Sequence, residues 1–328
     1  MSAPDLSDLQ LQAIQLALAE DAARDDVTAH ALLPADGRGE AVLVAKEEGV
    51  IAGAEHAYHV FGELANLGDF ESYLGGRPSA ADTGATSGAN IVSLLARELG
   101  GVTAIEVLVP SGGRVRPGDV IARVGGTLRV LLAGERTAVN LVQRMSGIAT
   151  LTSKFVAEVA GTRARILATR KTAPGLRAFD LEGVRAGGGG VHRASLADRV
   201  LVKENHLRAA RAAGIAQTMA EVVARLAEVR PGVAVGIEAV DLDEMRAAFV
   251  PGVEVVLLDN FEPALCAEAV RLRDAAYPRG GGPQLEASGG IHLGNVRRYA
   301  DAGVERISVG ALTHSAPALD VSMKITGA

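Results

Sequence analysis

The sequence predicts an α/β chain in which a smaller domain of short strands precedes a closed or nearly closed α/β barrel. Three observations carry that reading. Between 165 and 309, short apolar strands alternate with amphipathic stretches, the pattern of repeated βα units. No Gly-rich turn of dinucleotide-binding type follows the first of these strands, which disfavours a doubly wound sheet. Upstream of Val139, short alternating segments are instead separated by Gly, Pro and Asp turn signals.

At the N-terminus, Ser7 caps a helix whose Leu11, Ile14 and Leu18 share one face, running into the charged stretch Glu20 to Asp26. Strands are expected at Ala41–Ala45, Val50–Gly53, Glu106–Val109 and Val120–Val124. The stretch from Asn66 to Gly101 carries Gly75-Gly76-Arg77-Pro78 and a helix-like segment, Ile91–Leu99, and reads as an insertion. The barrel strands are expected at Arg165–Thr169, Val200–Lys203, Val233–Glu238, Val255–Asp259, Gln284–Ser288 and Arg306–Val309. With 328 residues and 48% hydrophobic content, the chain can bury a large core. No apolar run approaches the roughly 20 residues of a membrane span, and Ser2–Asp8 lacks the basic-then-apolar order of a signal peptide, so a cytoplasmic protein is expected. The single cysteine, Cys266, has no internal disulfide partner and falls in an apolar helical pattern, which makes it a small core residue. A formal net charge of −6 argues against nucleic acid; a polyanionic ligand must meet a local cationic pocket.

Chemistry concentrates where the barrel strands stop. The endings read Thr169-Arg170-Lys171, Lys203-Glu204-Asn205-His206, Glu238, Asp259-Asn260, Ser288-Gly289-Gly290 and Gly310-Ala311, and in an α/β barrel all of them converge on one mouth. Ser288 and Gly310 anchor a phosphate site, since glycines let backbone N–H groups approach and a helix starting near Leu293 adds its positive end. Ser-Gly-Gly alone is no more than a tight turn; its position is the informative part. Arg170, Lys171, His192, Arg193 and Lys203, with Arg136 just ahead of the barrel, form a cation set suited to a dianionic acid and a pyrophosphate. Glu238 and Asp259 suit ribose hydroxyls, a phosphate-bound Mg²⁺ and cationic charge on a sugar ring. Two mouth carboxylates also occur in glycoside hydrolysis, which has no need of five neighbouring cations. The run Gly187–Gly190 reads as a closing loop that delivers His192 and Arg193. His56 and His59, with no third ligand nearby, read as a solvated helix face.

Taken in order, several strings resemble the quinolinate phosphoribosyltransferases. They are Gly134-Glu135-Arg136-Thr137, Arg144-Met145-Ser146-Gly147, Ala168 to Leu176, His192-Arg193 after the glycines, Lys203 to His206, Leu257 to Phe261, Glu286 to Gly290 and Ser308 to Ser315. The resemblance implies an N-terminal α/β sandwich domain over 1–138, to which 315–328 returns, and an incomplete, about six-stranded α/β barrel over 139–314. It implies phosphoribosyl transfer from phosphoribosyl pyrophosphate to quinolinate with decarboxylation, giving nicotinate mononucleotide in NAD biosynthesis. Quinolinate would lie among Thr169, Arg170, Lys171, His192 and Arg193, with Arg136 supplied by the other subunit of a homodimer. Phosphoribosyl pyrophosphate would face Lys203, Glu238 and Asp259, its 5′-phosphate held by Ser288, Gly289, Gly290, Val309, Gly310 and Ala311. Mg²⁺ would arrive with the substrate near Glu238 and Asp259, without a dedicated protein site. Lys171, Lys203, Glu238 and Asp259 would carry the chemistry.

The chain departs from the family pattern at Val191, where Asn is usual, at Leu181-Glu182 in place of Lys-Tyr, at Glu204 in place of Asp, and at Ala239-Val240 in place of Val-Asp. Two alternatives share part of the pattern. One is a phosphoribosyltransferase-like paralogue associated with molybdate-transport operons; the other is a non-catalytic phosphate-binding barrel, which gives no reason for Glu238 and Asp259.

Overall fold

A computed structural model of the chain describes residues 6–66 and 102–327. The expected insertion, including the helix-like 91–99, falls outside the described residues apart from Asn66. Contacts divide the chain into two compact units. The first comprises Met1–Thr150, Ala173–Gly187 and Ala316–Ala328; the second comprises Leu151–Thr172 and Gly188–Ser315.

The first unit begins with helix α1 (Asp8–Glu20), opened by a capping box in which Ser7 and Gln10 satisfy each other's backbone donors. Ile14 and Leu18 are buried as their spacing predicts, together with Gln10. A short helix α2 (Val27–Leu32) is capped by Asp26. Strands β1 (Arg38–Ala45), β3 (Val102–Val107) and β5 (Val120–Thr127) join β13 (Val321–Gly327) in an antiparallel sheet of order β13-β1-β5-β3, and β2 (Gly49–Val50) pairs with β4 (Arg114–Val115). The buried Leu43, Ile121 and Val124 of this sheet share a core with Phe61 of helix α3 (His56–Asn66) and Met145 of helix α4 (Leu128–Glu158). Phe179 of helix α5 (Arg177–Ala186) belongs to the same core. Burial of each such side chain contributes about 1.5–3 kcal/mol. Gly147 of α4 is required by packing, because a Cβ there would collide with the Pro317 backbone.

Three sequence readings are corrected in this unit. The strand expected at Val50–Gly53 is the two-residue β2, which stops at Val50. Strand β3 spans Val102–Val107 instead of starting at Glu106, and His56 is no solvated helix residue: it is 2% exposed, with Nε2 2.7 Å from Glu182.

The second unit holds seven parallel strands: β6 (Arg165–Ala168), β7 (Gly190–Val191), β8 (Val200–Val202), β9 (Val235–Ala239), β10 (Val253–Asp259), β11 (Gln284–Ser288) and β12 (Arg306–Ser308). Their order, β7-β6-β12-β11-β10-β9-β8, is a cyclic permutation of chain order with one pairing missing, between β7 and β8. That is an α/β barrel left open at one seam, since a doubly wound sheet reverses its strand order instead. The seventh strand was hidden in the glycine run: Gly190 and Val191 pair with Leu167 and Ala168, so His192 follows a strand end and not a free loop. Helices α6 (Glu204–Ala212), α7 (Met219–Val229), α8 (Leu242–Ala247), α9 (Pro263–Ala276), α10 (Val296–Asp301) and α11 (Ala311–His314) connect the strands. Cys266 is fully buried on α9, and burial, with Glu262 nearby, pushes its thiol up to about 12. Among the described residues, no helix is long and apolar enough to cross a membrane.

Candidate active site

Parallel pairing fixes which side chains share a row of the barrel. Asp259 pairs with Ser288, and Ser288 with Ser308, which places three strand ends side by side. One row below, Glu238 pairs with Leu257, Leu257 with Glu286, and Glu286 with Arg306. Paired residues of a parallel sheet point to the same face, and residues two apart on a strand do so again. Glu238, Asp259, Glu286 and Ser288 therefore occupy one face, at the edge where every strand stops.

At the end of β8, the Lys203 ammonium lies 2.5 Å from a Glu238 carboxylate oxygen, the Glu238 side chain being largely buried. Lys203 and Glu238 act as a charge pair. After β10, Asn260 adopts a left-handed conformation (φ 58°), donates from its backbone N–H to the Ser288 carbonyl, and donates from Nδ2 to Asp259. Asn and Asp tolerate that backbone region better than other non-glycine residues. The turn after β11 needs positive φ at Gly289 (96°) and Gly290 (61°), and a Cβ on Gly289 would strike the Asn260 side chain. At Gly310, a Cβ would come within 3.0 Å of His314 Nε2 and 3.3 Å of the Lys171 stem. The loop after β6 is tied to the same place, where the Thr313 hydroxyl donates to the Lys171 carbonyl at 2.8 Å. Lys171 thus stands beside the glycine end of β12, next to Val309 and Ala311, and Thr169 steadies the loop by accepting from the Lys171 N–H.

The cations are not spread over the surface. Arg193 is 9% exposed, and burial together with the Arg170 guanidinium holds it below the ordinary arginine value, against Asp198 and Glu238. Arg170 Nε is buried and makes no hydrogen bond. Two neighbouring guanidiniums, one nearly buried, form a pocket whose field is relieved by an anionic ligand. His192 is also 9% exposed; burial pushes it below the usual histidine range, opposed by Glu286. By contrast, Arg271 and Arg297 make exposed ion pairs with Glu268 and Asp301, as expected of surface residues.

The second unit therefore brings together Thr169, Arg170, Lys171, His192, Arg193, Lys203, Glu238, Asp259, Ser288, Gly289, Gly290, Val309, Gly310 and Ala311 at the carboxyl edge of one sheet. Arg136 lies in the first unit, exposed on α4. The helix expected near Leu293 starts only at Val296, because His292 and Asn295 build a turn ahead of it; Asn295 Nδ2 donates to the Gly290 carbonyl. Sequence reasoning missed Glu286, Arg306 and Ser308. Glu286 is completely buried, bonded by Arg306 Nε at 2.7 Å and by the Ser308 hydroxyl. The available signal was a carboxylate two residues before Ser288, flanked by the apolar Leu285 and Ala287.

An open parallel barrel whose glycine-ended strands and clustered cations share one edge defines a barrel enzyme that handles phosphorylated and carboxylated ligands. Family models described as quinolinate phosphoribosyl transferase, N-terminal domain and C-terminal domain, match residues 78–146 and 148–324. The chain is 39% identical over 249 residues to nicotinate-nucleotide pyrophosphorylase (carboxylating) of Mycobacterium leprae, covering 74% of this chain and 84% of that protein. It is 35% identical over 313 residues to the probable enzyme of the same name from Synechocystis, covering 95% and 91%. The solved nicotinate-nucleotide pyrophosphorylase of Francisella tularensis superposes with a TM-score of 0.79 at 28% identity over 99% of this chain and 98% of its own. The chain belongs to the quinolinate phosphoribosyl transferase family.

Proposed function

We propose that this barrel edge is where the family's reaction takes place: phosphoribosyl moves from phosphoribosyl pyrophosphate to quinolinate, with loss of pyrophosphate and CO₂, giving nicotinate mononucleotide. The observation that carries the assignment is that Arg170 and the nearly buried Arg193 each lie two residues past the paired Ala168 and Val191, two cations at neighbouring strand ends of the barrel that also holds the Lys203–Glu238 pair. Arginine forks grip carboxylates bidentately, so Arg170, Arg193 and His192 hold the pyridine dicarboxylate and exclude water from it. Backbone N–H groups around Gly289, Gly290 and Gly310 receive the 5′-phosphate. Lys171 and Lys203 stand where the departing pyrophosphate gains charge, while Glu238 and Asp259 stabilise the positive charge growing on the ribose ring as the pyridine nitrogen attacks C1. Once that nitrogen is quaternised, the bond from C2 to the 2-carboxylate breaks, its electron pair stays at C2 as a carbanion stabilised by the adjacent positive nitrogen, and C2 then takes a proton from solvent. The protein needs only to hold the ring in place.

Among the described residues, no group of three or more His, Cys, Asp or Glu is arranged to hold a metal ion. Two edge carboxylates nevertheless fit Mg²⁺, which takes one or two protein carboxylates and completes its shell with substrate phosphates and water. It would arrive bound to the substrate phosphates near Glu238 and Asp259, and there it would neutralise pyrophosphate charge. Arg136, exposed on α4, is assigned to the pocket of a second copy in a homodimer. Phosphorylated sugars carry charges that bar them from crossing membranes unaided, so we place the enzyme in the cytoplasm with its substrate.

The test is to incubate the protein with quinolinate, phosphoribosyl pyrophosphate and Mg²⁺ and to follow nicotinate mononucleotide by mass. Product is expected with quinolinate; product with nicotinate alone would overturn the assignment.

A further inference from the structure

Beneath the edge lies a buried polar cluster that the reaction as described leaves unused. Glu286 is completely buried in the middle of β11, on the same face as Ser288. Its oxygens are held by Arg306 Nε at 2.7 Å and by the Ser308 hydroxyl, both from β12. The oxygen bonded by Ser308 also lies 3.9 Å from Nδ1 of His192. A buried carboxylate is costly unless it is paired, and this one is held rigidly with one oxygen toward the ring.

We propose that Glu286 is a positioning residue: braced by Arg306 and Ser308, its carboxylate makes Nδ1 the proton-bearing nitrogen of His192, so that binding of the dicarboxylate takes up one proton on Nε2. This rests on quinolinate being the ligand of Arg170, His192 and Arg193. With the Nδ1 proton directed at Glu286, the neutral ring offers a lone pair at Nε2, and a carboxylate cannot bind there until that lone pair takes a proton from solvent. The resulting imidazolium lies between two carboxylates. The 3.9 Å separation closes to a hydrogen bond in the complex, as catalytic contacts commonly do.

The groups facing the ring fix the direction of the pH effect. Glu286 on β11 favours the charged ring; burial, Arg306 on β12, Arg193 beside the ring and Arg199 disfavour it, and the balance keeps the free ring below the usual histidine range. The free ring is therefore neutral near pH 7, and the bound ring is charged. One proton taken up makes the quinolinate KM rise about tenfold per pH unit above the free ring's pKa, up to the pKa of the complex. The KM for phosphoribosyl pyrophosphate should not follow that slope.

The experiment measures both KM values against pH for the wild type, Glu286→Gln, Glu286→Asp and His192→Asn. The proposal expects a proton-coupled slope in the wild type, none in His192→Asn or Glu286→Gln, and partial recovery in Glu286→Asp. A wild-type slope retained by Glu286→Gln overturns it. Should Glu286→Gln fail to fold with Arg306 left unpaired, ¹⁵N-histidine spectra of the wild type decide the matter. A free enzyme whose His192 signal, identified by its loss in His192→Asn, shows a protonated Nδ1 supports the proposal; a protonated Nε2 overturns it. Absence of turnover in every protein, wild type included, would instead count against the assigned reaction, so the two failures are distinguishable.

Discussion

Arg193 shows how little the surface charge of the chain says about its site. The protein is acidic overall, yet this guanidinium is 9% exposed beside that of Arg170. Removing one member of a buried charge pair costs about 2–5 kcal/mol, so Arg193→Ala should raise the quinolinate KM about 30-fold or more while the phosphoribosyl pyrophosphate KM stays within about twofold. Arg193→Lys should recover only part of the loss, since a single ammonium cannot form the fork. Steady-state kinetics with each substrate varied checks both; an equal rise in the two KM values would contradict the placement. These cations were legible because strand ends in a barrel converge. Glu286 was not: its importance depends on the pairing of β11 with β12 and on the loop carrying His192, and neither partner is a sequence neighbour.

At the scale of elements, the turn after β11 combines positive φ at Gly289 with a side chain, Asn260, already filling the space a Cβ would need. Gly289→Ala should cost about 1–3 kcal/mol in strain and weaken binding of the phosphorylated substrate. Thermal unfolding and the KM for phosphoribosyl pyrophosphate measure the two effects; Gly290→Ala, with open space around its Cβ, should be milder. Barrel strand positions were readable to within a few residues from apolar runs and their polar ends. The onset of α10 was not, because His292 and Asn295 spend their side chains on a preceding turn. The family departure at Leu181-Glu182 also has a local reason: Leu181 is buried, and Glu182 is bonded by Gln10 Nε2 at 2.6 Å and by His56 at 2.7 Å. Burial pushes the Glu182 carboxyl up, but His56 and Gln10 outweigh it and hold it below its ordinary value of 4.5. The stability this contributes is present above 4.5 and is lost as pH falls through the lowered value. Glu182→Gln should therefore show less loss of stability on acidification below about pH 4.5 than the wild type, measured by urea unfolding.

For the molecule as a whole, repeated βα units foreshadowed the cyclic strand order and the resemblance implied an incomplete barrel; the place of the seam, between β7 and β8, and the seventh strand were not foreseen. β7 has two residues and its sequence is glycine and valine, which no periodicity can distinguish from a loop. The return of the C-terminus was implied by the resemblance, but its pairing as β13 against β1 has no signal in its own residues, since antiparallel partners so distant in sequence are chosen by the core they cover. The proposed supply of Arg136 by a second copy makes a prediction at this scale. Arg136→Ala and Lys171→Ala, each inactive alone, should regain activity when mixed and allowed to exchange subunits, to about a quarter of wild-type sites for random dimers. No regain, with exchange verified by mass, would place Arg136 outside the pocket.

The central claim is that one barrel edge holds a pyridine dicarboxylate against an activated ribose so that substitution at C1 and loss of the 2-carboxylate occur in one turnover. Quinolinate labelled with ¹³C in the 2-carboxylate tests it directly, by counting ¹³CO₂ against pyrophosphate released. One labelled CO₂ per pyrophosphate is the predicted result. Pyrophosphate released without labelled CO₂ would contradict the claim.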